Sequence, residues 1–179
     1  MSKERITLKV ANQLLVKYRT PKHVVAHCKA VAEAALKLTR ALNRAGLRNL
    51  DEDLVYGAAL IHDIARVTSD HEKEGAAIAR RYGYEDEARI IEVHMHYRMH
   101  RKLDELDETD MVCFGDRVVK EDTYVGLDQR MDYVVNKVHD NPEAVNRIRQ
   151  SQREIRTLLC EIENKLGVTI DQLMDEQEG

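Results

Sequence analysis

The stretch Ala58-Ala-Leu-Ile-His-Asp-Ile-Ala65 is the most apolar part of the chain, and it carries a polar pair in its middle. The apolar residues around it recur with the spacing of one helix face, at Leu54, Ala58, Ile61 and Ala65. Asp51 precedes this run and is a favourable N-cap residue. We therefore predict a buried helix over residues 51–65 that contains the His62-Asp63 pair.

The same helical spacing continues in both directions along the chain, whereas strand-like alternation is hard to find. Thr20-Pro21 and Asn141-Pro142 each have the pattern of an N-cap followed by proline at the first helical position. Gly46 and Gly167 follow helical patterns and are expected to end them. We predict an all-α bundle of about eight helices, over approximately residues 3–18, 21–46, 51–65, 69–83, 86–97, 109–122, 127–139 and 142–166.

The composition fits one folded domain over residues 1–179. Hydrophobic residues make up 43% of the chain and charged residues 34%, with only two prolines, which excludes a disordered or fibrous protein. No signal peptide or membrane span is predicted, and a net charge of −4 without a basic block argues against general nucleic-acid binding. The three cysteines are scattered, which favours reduced thiols and a cytoplasmic location.

Two more titratable side chains fall on the apolar faces of other predicted helices. His27 shares the stripe of Val24 and Val31, and Asp116 lies between the inward-facing residues Val112 and Val119. Burial of a carboxylate is costly unless it is paired, protonated or bound to a cation. Together with His62-Asp63, these side chains are most easily satisfied by a divalent metal, because helix bundles build metal sites from facing helices.

The order His27, His62-Asp63, Asp116 resembles the His…His-Asp…Asp signature of the HD-domain metal-dependent phosphohydrolases. The resemblance covers about residues 20–129, and it extends to the residues around the four positions. The similar stretches are Thr20-Pro-Lys-His-Val-Val-Ala-His27, Ala58-Ala-Leu-Ile-His-Asp-Ile-Ala-Arg66, His71-Glu-Lys-Glu-Gly-Ala76 and Gly115-Asp-Arg-Val-Val-Lys120. The resemblance implies an HD-type metal-binding core over residues 20–129.

Two further histidines are similar to those of the two-metal branch of this family, which includes symmetrical dinucleoside polyphosphate hydrolases. His71 precedes Gly75-Ala76, and His94 lies further along the chain. The resemblance implies one ion on His27, His62 and Asp116, a second on His71 and His94, and Asp63 as the bridge. Such ligands suit Fe, Mn, Co, Ni or Zn. If His71 is instead exposed in the first turn of its helix, a single ion is expected.

The resemblance also implies that a metal-bound water hydrolyses a phosphate ester or anhydride, with Asp63 and Arg66 as catalytic residues. Arg66 lies one turn after His62, where many relatives have lysine, and its guanidinium can bind phosphate in a bidentate way. The predicted substrate-binding residues are Arg66, Lys120, His96 and Arg98. His96 would not share a metal with His94 on a continuous helix, because two residues turn a side chain by about 200°. This objection does not apply if the helix ends at that point.

The expected function is therefore metal-dependent hydrolysis of a phosphoester or phosphoanhydride bond in a nucleotide or another small phosphorylated metabolite. The alternative is a non-catalytic HD-type module for ligand sensing or scaffolding. The predicted helix over residues 142–167 lies beyond the resemblance, and its Ile/Leu stripe is expected to pack on the core or on a second subunit. A homodimer is one outcome of that prediction.

Overall fold

The computed structural model describes residues 4–100 and 102–176. These residues form nine α-helices, a 3-10 helix and one short antiparallel hairpin, so the predicted all-α class is confirmed. The elements are α1 (Leu8–Lys17), α2 (Lys22–Arg44), α3 (Glu52–Ile61), α4 (His71–Arg81), α5 (Glu85–Val93), a 3-10 helix (Leu103–Glu105), α6 (Glu108–Val118), β1 (Val119–Lys120), β2 (Thr123–Tyr124), α7 (Gly126–Lys137), α8 (Pro142–Leu166) and α9 (Ile170–Asp175). Within the described ranges, no helix is sufficiently long and apolar to cross a membrane.

Three predicted helix boundaries are confirmed by their caps. The carboxylate of Asp51 accepts a hydrogen bond from the Leu54 amide at 3.0 Å, at the start of α3. Asn141 caps α8 in the same way, and proline follows it as the first helical residue. Gly167 ends α8 with φ of +73°, a conformation that glycine adopts without strain. These caps satisfy backbone groups that helix ends leave without partners.

The starts of the first two helices differ from the prediction. Helix α1 begins at residue 8 rather than residue 3, because Thr7 caps it; residue 3 itself lies outside the described residues. Pro21, not Thr20, occupies the N-cap position of α2. The Thr20 hydroxyl instead donates a hydrogen bond to the Ile64 carbonyl at 2.9 Å. Thr20 therefore ties the start of α2 to the segment that follows His62-Asp63.

The prediction that the His62-Asp63 pair lies inside a helix is wrong. Helix α3 ends at Ile61, and residues 62–67 form successive turns. In these turns the Ile64 amide bonds to the Ile61 carbonyl and the Arg66 amide to the Asp63 carbonyl, both with 3-10 spacing. The Ile64 carbonyl, which a continuing helix would use, accepts from Thr20 instead. The pair thus projects from a helix end.

Other elements end earlier than predicted, and four were not predicted at all: the 3-10 helix, β1, β2 and α9. Helix α5 stops at residue 93 instead of 97, and α6 stops at 118 instead of 122. After α6 the chain turns back in the β1–β2 hairpin, where Glu121 has a positive φ of 56°. The hairpin and α9 are too short to give a periodic pattern in the sequence.

The contact between α2 and α6 brings two predicted ligands together. Gly115 of α6 packs directly on the backbone of α2, so that a Cβ at this position would lie 2.6 Å from the Val31 carbonyl oxygen. No larger residue allows the two helices to approach this closely. Because His27 precedes Val31 by one turn and Asp116 follows Gly115, the close approach places these two side chains side by side.

The last two helices pack on different parts of the bundle. Helix α8 packs on α7 and the 3-10 helix, and its buried residues are Ile155, Leu158, Leu159 and Ile162. Helix α9 lies against α2, where the Lys37 ammonium donates to the Glu176 carbonyl at 2.7 Å. Packing of α8 on a second subunit stays a prediction.

Candidate metal centre

His62 is held with one ring nitrogen free to bind a cation. It is fully buried at the end of α3, and its Nδ1 lies 2.8 Å from the Ala59 carbonyl oxygen. A carbonyl only accepts, so Nδ1 carries the proton and Nε2 presents a lone pair. Among the described residues Nε2 has no hydrogen-bond partner, although it is buried. A buried acceptor without a hydrogen-bond donor is uncommon in proteins, and it is expected where the atom is a metal ligand.

Asp63 lies between three histidine rings. Its Oδ1 is 3.3 Å from Nε2 of His71 and 3.5 Å from Nε2 of His94, and its Oδ2 is 3.8 Å from Nε2 of His62. Oδ1 is also buried without a hydrogen bond from any described residue. His94 resembles His62 in its orientation, because its Nδ1 donates to the Ile91 carbonyl at 2.7 Å and leaves Nε2 facing Asp63.

His27 and Asp116 close the other side of the cluster. Nδ1 of His27 donates to the Glu121 carbonyl in the hairpin at 2.7 Å, and its Nε2 lies 3.2 Å from Oδ1 of Asp116. The His27 and His62 rings are 5.4 Å apart. The hairpin that the sequence did not predict therefore orients one of the predicted ligands.

The six predicted ligands form two groups that share Asp63. Ligand atoms of His27, His62 and Asp63 lie within 4.8 Å of one another, and so do those of Asp63, His71 and His94. Asp116 joins the first group through His27. Imidazole nitrogen with carboxylate oxygen is a donor set for Fe, Mn, Co, Ni or Zn. With the two orphaned atoms of His62 and Asp63, this set fits one or two divalent ions.

The electrostatics favour the ionised form of Asp63 and the neutral forms of His62 and His71. Burial raises the pKa of Asp63, but the neighbouring His62 and His94 outweigh it, so the pKa stays below its ordinary value. Burial, as the largest cause, lowers the pKa of His62 and of His71. The other two histidines differ. Burial also acts to lower the pKa of His27, but Asp116 outweighs it and the net shift is upward. Burial likewise acts to lower the pKa of His94, but its hydrogen bond to Asp63 contributes to a net upward shift. The carboxylate is thus ionised and two of the rings are neutral near pH 7, as metal ligands must be.

The predicted substrate-binding residues do not all come together. The Arg66 guanidinium lies 2.9 Å from Nε2 of His71 and 3.7 Å from Oδ2 of Asp63, at the edge of the cluster. His96 is exposed beyond the end of α5, and Arg98 forms an ion pair with Glu154 at 2.8 Å. Neither His96 nor Arg98 lines the cavity over the metal ligands. Their roles stay predictions that this geometry does not support. Lys120 is not a lining residue either, but its Nζ lies 4.7 Å from the ring centroid of Tyr133, which does line the cavity.

A cavity of about 700 Å³ opens above His27, Asp63, His94 and Asp116. Its far side is built by α7 and α8, which supply basic residues that the sequence did not single out: Arg130, Lys137 and Arg147. Arg130 is the nearest to the ligands, since its Nε donates to the Asp116 carbonyl at 3.1 Å and its Nη2 is 3.5 Å from Oδ1. The spacing of Arg130, Val134 and Lys137 on one face of α7 was the available signal.

A third group of side chains that could bind a metal has a structural role instead. His100, Asp107 and Asp110 lie close together, but both oxygens of Asp110 are already used. They accept from the amide of His100 at 2.8 Å and from the amide of Asp107 at 2.9 Å, and the latter bond completes the capping box of α6. This group therefore fixes the start of a helix.

Comparison with known proteins supports the resemblance. The family model described as HD domain matches residues 24–137, which include all six predicted metal ligands and most of the cavity. No curated protein and no solved structure is significantly similar to the chain. The match spans well over half of the sequence, and the fold brings histidines and aspartates of the matched range close together. The chain therefore belongs to the HD-domain family.

Proposed function

We propose that this chain is a metal-dependent phosphohydrolase that cleaves a phosphoester or phosphoanhydride bond in a nucleotide or another small phosphorylated metabolite. The observation that carries the proposal is the pair of histidine and aspartate groups that share Asp63 at the base of a 700 Å³ cavity. His27, His62, Asp63 and Asp116 would hold one ion, and Asp63, His71 and His94 would hold a second.

The bound metal would supply Lewis-acid stabilisation of the phosphoryl oxygens and a water made acidic enough to attack phosphorus near neutral pH. The chain supplies the orientation of the site. His62 and His94 are fixed by bonds from Nδ1 to backbone carbonyls, which set their tautomers and aim Nε2 at Asp63. Preorganised ligands of this kind need no rearrangement during the reaction.

Arg66 is the side chain best placed to bind a phosphoryl group. It lies beside Asp63 and His71, yet 46% of its side chain is exposed toward the solvent, so it can reach a bound substrate. Its planar fork of donors matches two phosphoryl oxygens. Arg130 has a comparable position across the cluster, next to Asp116. Positive charge thus flanks the site where negative charge increases during hydrolysis.

The proposal is tested by elemental analysis and a hydrolysis assay on the same preparation. The protein is purified without chelator, reloaded with Mn, Fe, Co, Ni or Zn, and assayed with p-nitrophenyl phosphate and bis(p-nitrophenyl) phosphate. We expect one or two transition-metal ions per chain and hydrolysis that depends on them. Bound metal without hydrolysis of any phosphate compound would favour the sensing or scaffold alternative, and absence of metal would contradict the proposed centre.

Replacement of Arg66 by alanine separates phosphate binding from metal binding. We expect kcat/KM to fall by roughly 10- to 100-fold, the value of one charge-assisted hydrogen-bonding group, with unchanged metal content. Arg98→Ala is the comparison, because Arg98 pairs with Glu154 outside the cavity and its loss should leave the kinetics unchanged. If Arg98→Ala is the more damaging variant, Arg98 binds the substrate, and the preference for Arg66 that its position beside Asp63 and His71 supports is wrong.

A further inference from the structure

Three basic side chains lie around the ring of Tyr133 on α7, at the rim of the cavity. The Nζ atoms of Lys137 and Lys120 lie 4.4 Å and 4.7 Å from the ring centroid, and Cζ of Arg130 lies 5.7 Å from it. Tyr133, Arg130 and Lys137 all line the cavity, and Lys120 reaches the ring from β1. We call these four residues the Tyr133 cluster.

The two lysines of the Tyr133 cluster differ from the surface cations that form ion pairs. Lys102 and Arg98 have carboxylate partners, at 3.1 Å and 2.8 Å. Neither Lys120 nor Lys137 has an ion pair with any described residue; both rest on the Tyr133 ring instead. Cation–π contacts keep an ammonium group in place without neutralising its charge. The cluster therefore presents two fixed cations that have no internal counter-charge.

The Tyr133 cluster is also close to the metal ligands. Arg130 spans the gap, because it touches Asp116 on one side and the Tyr133 ring on the other. Lys120 is followed in the hairpin by Glu121, whose carbonyl binds His27. An anion bound by the two lysines would thus lie one guanidinium away from a phosphoryl group held at the metal centre.

The charge balance of the cavity points to a polyanion. Outside the proposed ligands, the cavity has one carboxylate, Glu121, against five permanently basic residues, Arg66, Arg117, Arg130, Lys137 and Arg147. This excess stands in a chain whose net charge is −4. A low-dielectric cleft lined by one sign of charge concentrates ligands of the other sign.

We propose that Lys120 and Lys137, held by Tyr133, form an anion subsite that binds a second phosphate group of the substrate. The inference rests on the proposed phosphohydrolase function, which places the first phosphoryl group at the metal centre. It predicts that the preferred substrates carry two or more linked phosphoryl groups. The ring face of Tyr133 is covered by cations, so Tyr133 acts as a positioning residue for the lysines rather than as a stacking surface for a base.

The subsite is tested with metal-loaded protein by calorimetric titration of two probes, orthophosphate and imidodiphosphate, which is a non-hydrolysable relative of pyrophosphate. We expect wild type to bind imidodiphosphate at least about tenfold more tightly than orthophosphate, and each of Lys120→Gln and Lys137→Gln to lose about tenfold for imidodiphosphate alone. Tyr133→Leu should lose similar affinity although it keeps both charges. Lys102→Gln, outside the cavity, is the matched control, and metal content is measured after each titration.

Two results would overturn the subsite: equal affinity of wild type for both probes, or lysine variants that keep the wild-type preference. The assay with p-nitrophenyl phosphate reports on the proposed function separately. If the lysine variants lose the preference for imidodiphosphate but the wild type hydrolyses nothing, the subsite is supported and the phosphohydrolase function is contradicted. Hydrolysis by wild type with an unchanged preference in the variants would do the opposite.

Discussion

Asp63→Asn is expected to abolish hydrolysis and to lower the content of bound metal while the helical fold persists. Asp63 is the only predicted ligand that belongs to both groups of ligand atoms, with Oδ1 near His71 and His94 and Oδ2 near His62. Asparagine keeps the shape of the side chain but removes the charge and one acceptor. Loss of metal stabilisation in the transition state is worth several kcal/mol, so activity should fall by about 10³-fold or more.

The same variant distinguishes a shared ligand from an ordinary one. By elemental analysis, Asp63→Asn should lower the number of ions per chain for both groups of ligands. His71→Gln should remove only the ion of the group that contains His71. Asp70→Asn is the matched control, because Asp70 is 66% exposed and makes no side-chain cap to α4. Circular dichroism checks that the helices remain. Full activity in Asp63→Asn would exclude Asp63 as a bridge between two ions.

The sequence predicts the parts of this molecule that depend on local chemistry. Asp51 and Asn141 were recognisable as N-caps, because one residue and its next few neighbours determine whether a helix begins. The inward positions of His27 and Asp116 followed from the helical period in the same way. The order of the metal-binding residue types was visible as well, and it led to the correct family.

The features that the sequence did not reveal depend on contacts between distant segments. The end of α3 before His62 coincides with a hydrogen bond from Thr20 to the Ile64 carbonyl, across 44 positions of the chain. The hairpin that carries Glu121 and Lys120 has only two residues in each strand, too few for a pattern. Arg130 reads as an ordinary helix-surface residue until α7 is folded over Asp116. Half of the cavity was therefore hidden from any local argument.

Gly115→Ala is expected to destabilise the fold and to weaken the metal centre together. In an exposed helix this change would stabilise by about 1 kcal/mol, because alanine is the better helix former. At position 115 the new Cβ would lie 2.6 Å from the Val31 carbonyl oxygen, a separation that forces α2 and α6 apart. We expect a net loss of about 1–3 kcal/mol in the free energy of unfolding, measured by urea denaturation.

Separation of α2 and α6 must also pull His27 away from Asp116. His27 lies one helical turn before Val31, and Asp116 directly follows Gly115, so both ligands are next to the contact between these two residues. Metal affinity should therefore fall by roughly 10- to 100-fold although no ligand is changed. Gly75→Ala is the control: its nearest neighbour is a side-chain methyl of Ile91 at 3.1 Å, which can move, so its effect should be smaller. Val31→Ala removes the Val31 methyl that would lie 3.0 Å from the new Cβ at position 115, but it keeps the Val31 carbonyl. Adding Val31→Ala to Gly115→Ala should therefore not restore the stability or the metal affinity. Full rescue would mean that side-chain crowding, rather than backbone contact, sets the distance between these two helices and hence the geometry of the centre.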